Sequence, residues 1–121
     1  MQQNPDLCGI IGFWDGQDVG NAAAVDQAGL KGKVAIFTSG GGEQTQCDKV
    51  ADGEYYAYVS YNAAAQGRDL NTMIKYLLQA APEAGAAKTN LFNMLDVITQ
   101  DSPRPDACYS LDKVKALGGV N

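Results

Sequence analysis

Three short runs constrain this chain most: CGIIGFWD (8–15), KVAIFTS (33–39) and YYAYVSY (55–61). None shows the polar/apolar alternation of a half-exposed strand, and the third is rich in aromatic and β-branched residues. They read as strands buried on both faces. A stretch of helical character follows each one. VGNAAAVDQAG (19–29) and EQTQCDKVADG (43–53) both end on glycine, and AAQGRDLNTMIKYLLQAA (64–81) is stopped by Pro82. In the last stretch, Leu70, Met73, Ile74, Leu77 and Leu78 recur at spacings of three and four, which makes one apolar stripe. Strand and helix in strict alternation specify the α/β class. The expected architecture is a three-layer α/β/α sandwich with a mainly parallel sheet covered on both faces. LDVIT (95–99) is a candidate fourth strand. SLDKVKAL (110–117) reads as a short helix with Ser110 as its N-cap, and the final GGVN as a frayed end. With 121 residues, 45% apolar and 19% charged, the chain is expected to form a single domain spanning 1–121.

Right-handed crossovers bring the carboxyl ends of parallel strands to one edge of the sheet, where open α/β sheets take their ligands. Three loops converge there: WDGQD (14–18), SGGGEQ (39–44) and YNAAAQGRD (61–69). The glycine loop has bare backbone N–H groups that suit an anion. It lacks the Gly-Lys-Ser/Thr of a phosphate-binding loop, and a dinucleotide fingerprint begun at Gly40 would need glycine where Thr45 stands. A tight turn accounts for the glycines equally well. Trp14, Asp15 and Asp18 combine a flat aromatic face with carboxylates, a pairing that suits a sugar ring and its hydroxyls. Asp15 or Asp18 could instead cap the following helix. Tyr61, Asn62 and Gln66 add neutral hydrogen-bonding groups, and Arg68 can clamp a carboxylate or pair with Asp69.

Several function classes are excluded or disfavoured. The net charge is −5 and the nine Lys and Arg residues are scattered, which disfavours nucleic acid. The chain has no histidine, so Ser39 and Ser60 have no imidazole to activate them and no Cys–His pair can form. A zinc site is disfavoured for the same reason, the acidic spacing of a calcium loop is absent, and no cofactor is implied. An enzyme is not expected. No apolar run is long enough to cross a bilayer, and the first residues lack the pattern of a signal peptide. Of the three cysteines, Cys8 precedes an apolar run and reads as part of a strand. Cys47 and Cys108 lie in polar and turn-rich surroundings. They are the expected disulfide pair, as against three reduced thiols.

Taken in order, the segments NPDLCGIIGFWD, DVGNAAAVDQAGLKGKVAIFTSGGG and CDKVADGEYYAYVSYNAAAQGRDLNTMIKYLL resemble the C-terminal lobe of sugar-binding periplasmic proteins of ABC transporters. These are the ribose/galactose type, which share the type 1 periplasmic binding protein fold with LacI-type repressors. The terminal CYSLDKVK also resembles the ending of some members. The resemblance covers nearly the whole chain and implies a solute-binding protein of the periplasm that takes a small carbohydrate and delivers it to a transporter permease. It implies ligand contacts at Asp15 with Trp14 beside it, at Ser39 with Gly40 in the following turn, and at Tyr61 and Asn62. Ser39 stands where an acid is common and Tyr61 where an amide is common, which leaves the sugar open. By the family pattern, the N-terminal lobe and the first strand and helix of this lobe lie outside the sequence. The chain is therefore expected to be an incomplete lobe that exposes a sheet edge and an apolar face and so self-associates as a dimer or swapped oligomer. The alternative reading is the effector-binding lobe of a LacI-type regulator or another flavodoxin-like signalling domain.

Overall fold

The computed structural model describes residues 4–86 and 90–116. Its elements run β1 (Gly9–Ile11), α1 (Asp15–Gln27), β2 (Ala35–Gly40), α2 (Gln44–Ala51), β3 (Ala57–Ser60), α3 (Ala63–Ala80), β4 (Asp96–Ile98), a 3-10 turn (Pro105–Ala107) and α4 (Leu111–Ala116). The sheet order is β1-β2-β3-β4. The first three strands are parallel, and β4 runs antiparallel to β3 with Tyr58 opposite Ile98 and Val59 opposite Val97. The α/β class, the mainly parallel sheet and the candidate fourth strand are all present.

Covering layers are complete on one face only. Each strand is added on the same side of the last, so both right-handed crossovers place their helices on the same face. The other face would need the strand order to reverse, and within this sheet it does not. On the covered face, Ala22 and Val25 of α1 and Cys47 and Val50 of α2 close over Ile36, Tyr58 and Ile98. On the opposite face, Ile11 lies beside Phe37 and Phe37 beside Ala57, and in the next row Ser39 lies beside Val59 and Val59 beside Val97. Ile11 is 89% exposed and Val97 54%. The first run is therefore not buried on both faces as its composition suggests. β1 is a short edge strand, and Phe13 beyond it is also exposed.

α1 starts at Asp15, four residues before its expected start, with Trp14 as N-cap in extended conformation and no side-chain cap. Neither aspartate caps it. Both lie within the first turn, where the helix dipole favours negative charge. α3 starts where expected, because Asn62 in left-handed conformation (φ 48°) accepts the Ala65 N–H on Oδ1 at 3.2 Å. Ser110 caps α4 as expected, its Oγ accepting the Lys113 N–H. The expected end of that helix at 117 and the 118–121 tail lie outside the described residues.

The segment 104–110 forms a strap over the carboxyl edge of β2 and β3. Tyr109 N–H donates to Gly42 O and Gln44 N–H to Tyr109 O, both at 2.7 Å. Ser60 Oγ donates to Ala107 O at 2.9 Å. The expected disulfide joins Cys47 of α2 to Cys108 of the strap, while Cys8 is free and exposed.

Candidate functional site

The three strand-to-helix loops do meet at the carboxyl edge, and the structure sorts the predicted residues into two groups there. The first faces the helical layer. Asp15 is 7% exposed, and its Oδ2 accepts the Tyr58 hydroxyl at 2.8 Å. The same hydroxyl accepts the Gly42 N–H at 2.8 Å. Gly40 lies directly beneath, and a Cβ there would run into the Asp15 carboxylate and the Tyr58 hydroxyl. One link runs from α1 through β3 to the glycine loop. Burial, seconded by the Asp15 carboxylate, pushes the Tyr58 hydroxyl far above its ordinary range, so it remains a neutral donor. Asp18 is fully buried one turn further on, accepting from Asn21 Nδ2 and from the Thr38 hydroxyl.

The second group lies on the open side of the sheet. The Ser39 and Tyr61 hydroxyls are 2.5 Å apart, and Ser39 Oγ also donates to Phe13 O at 2.8 Å. Trp14 stands at this edge 59% exposed. Asn62 belongs to neither group. Its Oδ1 caps α3 and its N–H donates to Ser60 Oγ at 3.0 Å. A groove of about 1010 Å³ runs between α3 and the strap, and of the residues singled out in the sequence Asn62, Arg68 and Cys108 line it. Among the described residues, no group of three or more Cys, Asp or Glu is placed to hold a metal ion, and no helix is long and apolar enough to cross a membrane.

Tyr58 and Ser60 organise the edge but are not expected as site residues from the sequence, whereas Asp18 is expected at the ligand or as a cap and is buried instead. A usable signal exists for Asp18. It follows Asp15 by three residues, which sets both carboxylates on one helix face. That face turns out to be the buried one.

Residues 1–82 match the family model described as the periplasmic binding protein domain. The chain belongs to that family. Among solved structures, this family member is similar to an ABC transporter solute-binding protein from Agrobacterium vitis with bound D-fucose, at 26% identity and TM-score 0.70. That match covers 89% of this chain and 37% of the A. vitis protein. The periplasmic binding protein component of the arabinose ABC transporter from Shewanella sp. ANA-3, bound to α- and β-L-arabinofuranose, shares the fold. Its TM-score is 0.66 at 22% identity, covering 99% of this chain and 39% of that one. A sugar-binding protein of a sugar ABC transporter from Bacillus halodurans also shares the fold, with TM-score 0.64 at 20% identity over 83% of this chain and 36% of that one. No curated protein matches the chain. The chain thus spans just over a third of the length of the solved proteins it resembles.

Proposed function

We propose that this periplasmic binding protein domain is the carbohydrate-recognising part of a solute-binding protein for an ABC transporter, with no catalytic activity of its own. The observation that carries the proposal is the similarity to the D-fucose-bound A. vitis protein over 89% of the chain. The carboxyl edge supplies fitting chemistry. Trp14 offers an exposed ring for the C–H face of a sugar, and the Ser39–Tyr61 pair, with the Ser39 proton given to Phe13 O and the Tyr61 proton to Ser39, presents oxygen lone pairs that can accept from sugar hydroxyls. Asp15 contributes by fixing Tyr58 and the glycine turn, and Gly40 lets the turn approach closely. In the whole transport protein, a second lobe would complete the cleft and a permease would receive the sugar. The Cys47–Cys108 disulfide suits the oxidising periplasm.

Trp14 is the only tryptophan in the chain, so its emission reports on this edge alone. D-Fucose, L-arabinose, D-ribose and D-galactose are each titrated while indole emission and melting temperature are followed. The expected result is saturable quenching with one sugar, together with a rise in melting temperature. Ser39→Ala and Tyr61→Phe should weaken both signals. A melting shift that leaves Trp14 emission unchanged, or that survives both substitutions, would move the ligand off this edge. No response to any sugar would overturn carbohydrate recognition by this chain.

A further inference from the structure

The strap meets the carboxyl edge at Ser60. This last residue of β3 is fully buried, and its hydroxyl makes two bonds. It donates to Ala107 O of the strap at 2.9 Å and accepts the Asn62 N–H at 3.0 Å. The second bond holds the chain just past Tyr61, where Asn62 takes its left-handed turn into α3. The same turn is tied to the glycine loop, Tyr61 N–H donating to Gly40 O and Ala63 N–H to Gly41 O, both at 2.8 Å. A Cβ at Gly42 would collide with both the Ser60 hydroxyl and the Ala107 carbonyl. Strap, glycine loop and the end of β3 therefore form one tight unit, and Ser39, Tyr61 and Asn62 take their places from it.

The bonds that keep the strap in place differ in kind. Its hydrogen bonds to Gly42, Gln44 and Ser60 are exchanged for bonds to water when it lifts, so each contributes little net. The Cys47–Cys108 bond is not exchanged. It joins the strap residue next to Ala107 to α2, the helix that the glycine loop leads into. We infer that the strap, acting through Ser60, positions the Tyr61–Asn62 turn and the glycine loop for ligand, and that the Cys47–Cys108 disulfide makes this positioning sensitive to reduction. The ligand in this inference rests on the carbohydrate reading above. The reductant is a dithiol. One of its thiolates attacks a sulfur of the bond and its second thiol resolves the mixed disulfide. Two electrons and two protons pass to Cys47 and Cys108, and the dithiol leaves as its own disulfide. The oxidised chain has the higher affinity for sugar and the reduced chain the lower. Coupling is reciprocal, so bound sugar holds the disulfide against reduction by the same factor.

The experiment compares the oxidised chain, the chain held in excess dithiothreitol, and Ser60→Ala with the disulfide intact. Hydrogen exchange needs no ligand. At the shortest labelling times, the amides of the glycine loop and of residues 61–63 should exchange in both altered forms, while the 34–38 peptide of β2 remains protected. Loops that stay protected in either form overturn the inference, and so does a 34–38 peptide that opens together with them, because the bond or the hydroxyl then holds the whole fold rather than the edge. The sugar titrations above supply the second readout. With the sugar that binds the oxidised chain, the dissociation constant read from Trp14 emission should rise about tenfold on reduction and in Ser60→Ala. Saturating sugar should lower the midpoint potential of the cysteine pair by about 30 mV, the equivalent of that tenfold coupling. A bond that only stabilises the fold moves the melting temperature but neither of these. Equal affinity in the oxidised and reduced chains overturns this inference and leaves the carbohydrate reading standing. Absence of binding by the oxidised chain overturns that reading instead, and the loop exchange then decides the positioning by itself.

Discussion

Three consecutive glycines follow Ser39, and they are not equivalent. At Gly40, any side chain would displace the Asp15 carboxylate and the Tyr58 hydroxyl that bonds to it. Gly42 has φ 90° and also meets the Ala107 carbonyl of the strap. Gly41 meets nothing closer than 3.5 Å. Gly40→Ala should therefore cost about 1–3 kcal/mol through overpacking, while Gly41→Ala should stay within about 0.5 kcal/mol of wild type. Urea midpoints of the two variants, taken side by side, decide this, and equal midpoints would contradict the placement of Asp15. The buried tyrosines make a second statement. Burial, with the nearby Asp18 and Asp15 charges, raises the Tyr55 hydroxyl from 10 to about 12, and Tyr58 and Tyr109 move in the same direction. Below pH 10 the Tyr55 hydroxyl is neutral in the folded and unfolded chain alike. Between 10 and about 12 the unfolded chain releases that proton and the folded chain holds it, so stability is lost as pH rises through this window. Melting temperature should be flat towards pH 10 and fall beyond it, and tyrosinate absorbance at these residues should appear together with loss of structure.

Among the elements, the strap depends most on a single covalent bond. It has no regular strand and only a three-residue turn, yet it covers the carboxyl edge of β2 and β3. Cys47 and Cys108 are 61 residues apart, and closing a loop of that length removes about 4 kcal/mol of unfolded-chain entropy in the chain-entropy account. Reduction should lower the melting temperature markedly, and thiol titration should find one free cysteine before reduction and three after. Three thiols in the untreated protein would remove this clamp. The pairing was legible in the sequence because both cysteines sit among polar and turn-forming residues. The hydrogen bonds from Tyr109 to the glycine loop were not, since they join positions far apart in sequence and carry no periodicity. Asp15 and Asp18 show the same division. Their spacing places them together on α1, but only the packing of α1 on β2 decides that they face inward. A reading from residue type alone sends both to the ligand.

At the scale of the whole molecule, stability is concentrated in half of the structure. The core joins α1, α2, the inner side of the sheet and the strap, and includes no residue of α3. The sequence told correctly that α3 is amphipathic and where it begins, because a 3.6-residue period is a local property. It could not tell what the stripe meets, because that depends on the order in which strands are laid down. A lone helix of this length is marginal in water, and most helical stability in proteins comes from packing. In dilute, monomeric protein the amides of α3 should therefore exchange with solvent by local opening, far faster than those of β2 and β3, which require global unfolding. Hydrogen exchange read by mass spectrometry on dilute protein tests this: the 63–80 peptide should exchange early and the β2 and β3 peptides late. If α3 is as protected as β2 in the dilute sample, it already packs within its own chain, and the molecule closes its second layer unaided.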